Sequence, residues 1–516
     1  MTATLPPATA AGVDRRTWMA FAVLILGVAM ALLDTTIVNV ALPTIRTNLH
    51  ADEAALSWII SGYALAYGLA LIPAGRVGDR IGHRWVFIVG LAGFTVASLA
   101  AGMSDDTTTL VVARVAQGLA GGIFFPPVTA LIQLMFPGRT RGTAFAIFGA
   151  AIGFSTALGP LVGGLLIQWL GDARGWRSIF FVNLPFGVLG VVAAVLLLPR
   201  GAEARGRAGV DVVGFGLLSA SLVALLVPLI QGQQDGWPLW TYLSIGGGIA
   251  LVAVFAVWEL SVSRRGREPL VPPRLFAHAS FTGGVVLALV YFAAFTSIFF
   301  TISIFWQAGL GHTALESGLV SIPFAIGSIV GSSLSNRLAQ RLGRTVLVIG
   351  SGMVAAGLSG LCLVLLAITP QDLTHWELLG PLAIAGIGSG LFIAPNAQFI
   401  VATVARAEAG AASGVIGTVQ RVGSAIGIAV IGSVLFGNLP RSYAPTPSEQ
   451  AQALAEHGSQ GRAAVQAAVQ KVVDHHLATG FGHAATLALA VSAAFAIVAF
   501  GLVFALPRRV SRHPGA

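Results

Sequence analysis

The 516 residues are 56% hydrophobic and 9% charged, against roughly a quarter charged in an ordinary soluble domain, and so few charges exclude a water-clothed globule. The net charge of +9 does not point to nucleic acid either, because the basic residues alternate between loops as a membrane-topology signal does. A single cysteine, Cys362, excludes disulfides and cysteine metal clusters.

The apolar residues fall in runs of about twenty, which at 1.5 Å rise per residue cross a hydrocarbon core of roughly 30 Å. This predicts an all-α integral membrane protein with 14 transmembrane helices. The spans lie near 18–40, 54–74, 85–103, 110–132, 143–168, 178–199, 211–231, 240–260, 279–305, 315–335, 345–368, 376–400, 411–437 and 482–506. The tail 1–17 leads into a first run too long for a signal peptide and without a small-residue cleavage site, so that helix is expected to stay uncleaved. Arg46, Arg174, Arg177, Arg441, Arg462 and Lys471 fall in odd-numbered loops, and Arg114 and Arg421 fall inside spans. The other 21 of the 29 basic residues sit in even-numbered loops and the two tails, which places both termini and every even loop in the cytoplasm.

In chain order, Asp34 interrupts the first span in VAMALLDTTIVNVALP, where an ionised carboxylate costs about 3 kcal/mol even on a lenient insertion scale. A carboxylate held there can load and unload a proton as water reaches it from alternate sides, the alternative being permanent pairing with a neighbouring donor. The loop after span 2 carries Gly75, Gly78 and Gly82 with Asp79 amid Arg76, Arg80 and Arg84, a charge cluster able to latch one conformation from its side of the membrane. Arg114 opens span 4 with Gln117, Gly118 and Gly121 on its face, and could exchange partners with a carboxylate as protonation changes. In span 5, Gly159, Pro160, Gly163 and Gly164 allow close helix approach and a bend.

Two echoes divide the chain. GRVGDRIGH from Gly75 recurs as NRLAQRLGR from Asn336, and Gly142, Gly149 and Gly159 recur at a constant offset as Gly410, Gly417 and Gly427. Both run in the same direction, predicting an N-terminal six-helix half over 18–199, linkers with two inserted helices over 200–278, and a C-terminal half over 279–506 that includes an outer loop at 438–481. That loop holds helix-favouring stretches that suit a surface hairpin or cap; its His475 and His476 point different ways on a helix and read as a solvated face. A short tail, 507–516, closes the chain. Candidate substrate-cavity groups near the half-to-half interface are Asn39, Trp58, Tyr63, Gln117, Phe292, Asn396, Gln398 and Arg421.

LDTTIVNVALP from Leu33, GRVGDRIGHR from Gly75, RVAQG from Arg114, LGPLVGG from Leu158 and WRSIFFVNLPFG from Trp176 resemble the fourteen-helix drug/proton antiporters of the major facilitator superfamily. The resemblance implies export, with Asp34 and Arg114 in proton coupling, Asp79, Arg80 and Arg84 in the conformational latch, and Gly159 to Gly164 in the exporter motif. His83 stands where the family usually has Arg or Lys, Ser155 where it usually has Gly, and Gln340 replaces in the second half the acid that Asp79 supplies, so the latch should be asymmetric. The expected protein is a monomeric proton-coupled antiporter in a bacterial inner (plasma) membrane. It exports hydrophobic or amphipathic drugs by alternating access, without cofactor, metal or nucleic acid; the driving force is the proton gradient. A dedicated exporter of one metabolite, lipid or self-made antibiotic is the rival. A membrane enzyme or respiratory proton-pump subunit would need buried lysines, glutamates or acidic clusters that the spans lack. Substrate charge stays open.

Overall fold

The computed structural model describes residues 14–51, 53–200, 211–232, 235–267, 269–402, 404–405, 408–439, 446–457 and 462–507. The tail before Asp14, the linker residues Arg205 and Arg207, the loop residues Arg406 and Arg441, and Arg508, Arg509 and Arg512 lie outside them. Among the described residues every regular element is a helix.

The first half comprises α1 (Arg15–Leu49), α2 (Glu53–Ile81), α3 (His83–Gly102), α4 (Thr107–Met135), α5 (Gly138–Leu170), α6 (Asp172–Phe181) and α7 (Asn183–Leu197). Two further helices follow, α8 (Val212–Gln231) and α9 (Leu239–Arg264). The second half comprises α10 (Ala279–Ile304), α11 (Ala314–Val320), α12 (Ile322–Leu342), α13 (Thr345–Ala367), α14 (His375–Val401), α15 (Ala409–Gly437), α16 (Pro447–His457) and α17 (Arg462–Val503). Among the described residues twelve helical stretches are long and apolar enough to span a bilayer, Gly175–Leu197 across α6–α7 and Leu315–Leu342 across α11–α12 among them. A thirteenth candidate is α5, whose segments Thr140–Ser155 and Leu158–Leu170 meet at 43°. Pro160 sits just past that bend, where its ring removes one hydrogen bond of the ladder and crowds the carbonyl a turn earlier. The apolar stretch of α8, Val213–Leu229, is shorter. Leu189, Val89, Leu363 and Leu366 are each more than 60% exposed, a surface that lipid matches and water would not.

One span carries an interruption, and one boundary differs from the sequence expectation. The span expected at 178–199 is present as Gly175–Leu197, interrupted at the single residue Val182 between α6 and α7, because Pro185 has no N–H to donate to the Phe181 carbonyl. The last helix does not start near 482 but runs unbroken from Arg462, so half of the expected outer loop is a helical extension. Helix α16 packs on this extension, forming the expected hairpin, with His476 Nε2 3.1 Å from Glu449 Oε1.

The two echoes in the sequence correspond to one packing scheme used twice. Helix α5 packs on α1, α12 and α14, and α15 packs on α10, α2 and α4. Gly82 and Gly343, which end the two echoed loops, have φ of +99° and +57°, backbone that an L side chain resists. Arg84 Nη2 donates to Val195 O at 2.7 Å and Arg344 Nη1 to Phe504 O at 3.0 Å, each tying the start of a third helix to the end of its half. Helices α8 and α9 lie outside both halves, with α8 against α2 and α15.

Candidate functional site

Asp34 on α1 and Arg114 on α4 meet inside the first half, Nη1 to Oδ2 at 2.5 Å, with 0% and 1% of their side chains exposed. Helices α2 and α3 and the α6–α7 interruption complete the cage. Gln117, one turn past Arg114, donates through Nε2 to Asp34 Oδ1 at 2.9 Å and to Ser98 Oγ of α3 at 2.6 Å. Asn183, the first residue after the α6–α7 break, donates to the same two atoms at 3.0 and 3.1 Å. Arg114 in turn donates to Gln117 Oε1 at 2.6 Å and through Nε to Ile59 O at 3.1 Å. A buried charge pair so fully hydrogen-bonded can persist in a low-dielectric interior. It also has two neutral acceptors, Gln117 Oε1 and Ile59 O, already in place for the guanidinium should the carboxylate become neutral.

An aromatic bridge leads from this pair to the other half. The Arg114 guanidinium lies 4.2 Å from the Tyr63 ring centroid, Tyr63 and Tyr67 are 5.9 Å apart, and Arg421 of α15 lies 4.0 Å from the Tyr67 ring. Two cations thus face a pair of neighbouring, mutually tilted phenols from opposite halves. Helix α4 rides close beneath α2, since a Cβ on Gly118 or Gly122 would fall within 2.3 Å of the Tyr63 or Tyr67 carbonyl oxygen. The glycine face of α4 is therefore filled by α2 backbone.

The arginine-rich ends of the two halves are sealed together. Asp79 accepts from the Gly410 and Ala411 amides at 2.9 and 3.1 Å, the free N–H groups of a helix N-terminus. His83 Nε2 lies 3.3 Å from the same carboxylate, so the residue that departs from the family pattern is part of this contact. Gly75 and Gly410 touch backbone to backbone, Gly142 meets the Asn336 side chain, and Thr129 bonds Ser413. In the second half the amides of Asn336 and Gln340 take the place of the acid.

Of the α5 motif, Gly159 and Gly163 press on Thr36 and Ile37, beside Asp34, while Pro160 and Gly164 meet Gly318 and Leu315 of the other half. The remaining candidates scatter. Gln398 Nε2 reaches Gly142 O across the junction at 3.5 Å. Phe292 and Asn396 are packed within the second half, the ring against Tyr291 and Phe295 and the amide on Gly284 O. Asn39 and Trp58 are exposed. Ser98 and Asn183 were not singled out from the sequence; Asn183 lies in the WRSIFFVNLPFG motif, whereas a serine in an apolar helix carries no signal. The sequence sets Glu259 at the end of an inserted helix; the structure buries it, 3% exposed and facing Asp211.

The family model of the Major Facilitator Superfamily matches residues 24–428. The chain belongs to the major facilitator superfamily. Among its relatives in this superfamily are the "Probable actinorhodin transporter" of Streptomyces coelicolor, 38% identical over 84% of this chain and 75% of that protein. Another is the "Tetracenomycin C resistance and export protein" of Streptomyces glaucescens, 34% identical over 97% and 91%. The solved structure of the proton:xylose symporter XylE superposes with a TM-score of 0.62 at 13% identity, covering 95% of both chains; that likeness speaks to the fold. This major facilitator protein is a multi-pass membrane transporter of small molecules, not an enzyme, and its relatives include antibiotic exporters.

Proposed function

We propose that this chain is a proton-driven exporter of hydrophobic or amphipathic small molecules, working as a monomer by alternating access in a bacterial inner membrane. The reading takes fourteen crossings, with α8 counted as one. Tails 1–17 and 507–516 and the arginine-rich face are cytoplasmic, and halves 18–199 and 279–506 rock about the segment 200–278. The observation that carries it is the buried Asp34–Arg114 pair with its alternative acceptors. A proton arriving on Asp34 releases Arg114 to Gln117 Oε1 and Ile59 O. Arg114 then faces Tyr63 with an uncompensated charge, opposite Arg421 on the far side of the bridge. That mutual repulsion acts on the α2–α15 contact, which is also held by Asp79.

Each charge moved inward along a potential of 100 mV gains about 2.3 kcal/mol, roughly a forty-fold concentration ratio, before any pH gradient is added. Inside-out vesicles test the coupling: Asp34→Asn should abolish substrate-induced proton release and uphill transport, and unchanged uphill transport would remove Asp34 from the carrier role. A second reading, a dedicated exporter of one compound, is favoured by relatives named for single antibiotics. A susceptibility panel of cationic dyes, neutral antibiotics and anions in a pump-deficient host separates the two, since protection against one compound alone selects the dedicated exporter.

A further inference from the structure

The inserted helices hold a buried carboxylate that the coupling pair does not use. Glu259, one turn from the end of α9, is 3% exposed; its Oε2 accepts from the Val271 amide at 2.8 Å, while its buried Oε1 has no hydrogen-bond donor. Asp211, which caps α8, turns its carboxylate to the same place and accepts from Gly214 N at 2.8 Å and Trp258 Nε1 at 2.9 Å. Oxygens of both acids lie within 2.7 Å of the one point that a Cβ on Gly214 would occupy, so no more than about 5 Å separates them, and Asp211 is within hydrogen-bonding reach of Glu259. Two ionised carboxylates so placed repel, and the unpartnered Oε1 would stay unsatisfied.

We propose that Asp211 and Glu259 form a second proton-binding site, sharing one proton between Glu259 Oε1 and Asp211, independent of Asp34. Arg76 from α2 is the cation that acts on Glu259, and Arg264, Arg265, Arg267 and Arg274 follow Glu259 along the chain. The site is wired to the seal between the halves. Val271, held by Glu259, precedes the short helical turn Pro273–Ala277, where Arg274 Nε meets Glu408 Oε1 at 2.5 Å. Glu408 immediately precedes α15, whose first amides Asp79 holds. Loss of the shared proton puts two negative charges side by side, separates the ends of α8 and α9, and loosens the 269–278 strap on α15. The site therefore reports proton activity on the arginine-rich side to the gate on that side.

The inference does not rest on the exporter reading, and its test needs no transport. Infrared difference spectra of the full chain in nanodiscs, in an Asp34→Asn background, should show a protonated-carboxyl C=O band that is lost as pH rises. Glu259→Gln should remove the band, and so should Asp211→Asn, because the new amide gives Glu259 Oε1 a permanent N–H donor. Hydrogen exchange of the 269–278 amides, corrected for intrinsic rate, should rise about tenfold or more across the same pH range in wild type. It should stay flat in Glu259→Gln, whose amide oxygen can still accept from Val271. A band surviving either substitution, or a loosening that persists in Glu259→Gln, overturns the proposal.

Discussion

Asp34 and Arg114 satisfy one another so completely that structure and coupling must be separated by measurement. Removing one member of a buried ion pair leaves an uncompensated charge and costs about 3–5 kcal/mol, whereas replacing both by apolar groups is near neutral. Asp34→Ala is therefore expected to destabilise the protein by about 3–5 kcal/mol, and Asp34→Ala with Arg114→Met by less than half of that, as read from unfolding in micelles; both should lose coupled transport. A double variant destabilised by the sum of the two single variants would mean that the two charges are not energetically coupled. The two principal residues were legible because a charge inside an apolar run is conspicuous. Gln117 was legible too, one turn along the face of Arg114, but Asn183 is an ordinary amide in sequence, and Ser98 reaches the cage only because α3 packs against α4. What brings them together is convergence of positions as much as 149 residues apart, which no local pattern encodes.

At the level of elements, glycines decide where helices touch, and α2 against α15 is a backbone-to-backbone case. A Cβ on Gly75 would stand 2.1 Å from the Gly410 carbonyl oxygen, a clash with backbone that no rotamer relieves. Gly75→Val should therefore part the arginine-rich ends of these helices. Spin labels on the exposed flanks of α2 and α15 should report a longer distance than in wild type, and an unchanged distribution would show that Gly75 does not set the seal. At the other face, the α16–α17 hairpin depends on a carboxylate. Hydrogen bonds from the Thr446 amide and hydroxyl, and the charge of His476, hold Glu449 below its ordinary range. A depressed folded value means the contribution is present above the unfolded value and lost as pH falls through the folded one. Proteolysis at the hairpin should accordingly stay slow at neutral pH and accelerate only below the usual glutamate range, and Glu449→Gln should flatten that profile. The hairpin's polar composition made half of α17 read as loop, since the apolar signal for a span starts only near Phe481.

At the scale of the whole molecule, the two-fold plan was legible because it rests on residue types with local meaning: glycines at positive φ, arginines at helix ends, and glycine stripes at a fixed offset. The wiring of the inserted pair was not, because Asp211 and Glu259 are 48 positions apart in sequence and each alone resembles a helix-end charge. In three dimensions that pair grips α15 at both ends, through Arg274 to Glu408 on one side and through Trp237 Nε1 to Ser433 Oγ at 2.8 Å on the other. A rigid-body swing of α15 must therefore carry α8 and α9 with it, and it must open the sealed face between the halves. The α5–α12 edge of that seal offers a direct test, because a Cβ on Gly142 would lie 2.7 Å from Asn336 Cγ, close enough for side chains at the two positions to be bridged by a disulfide. Cys362, the native cysteine, is buried and lies far along α13, so it does not compete. Gly142→Cys with Asn336→Cys, oxidised in proteoliposomes, should stop substrate movement, and a reductant should restore it, while either single variant responds to neither reagent. Full transport by the cross-linked protein would show that this face need not open, and alternating access between the two halves would have to be abandoned.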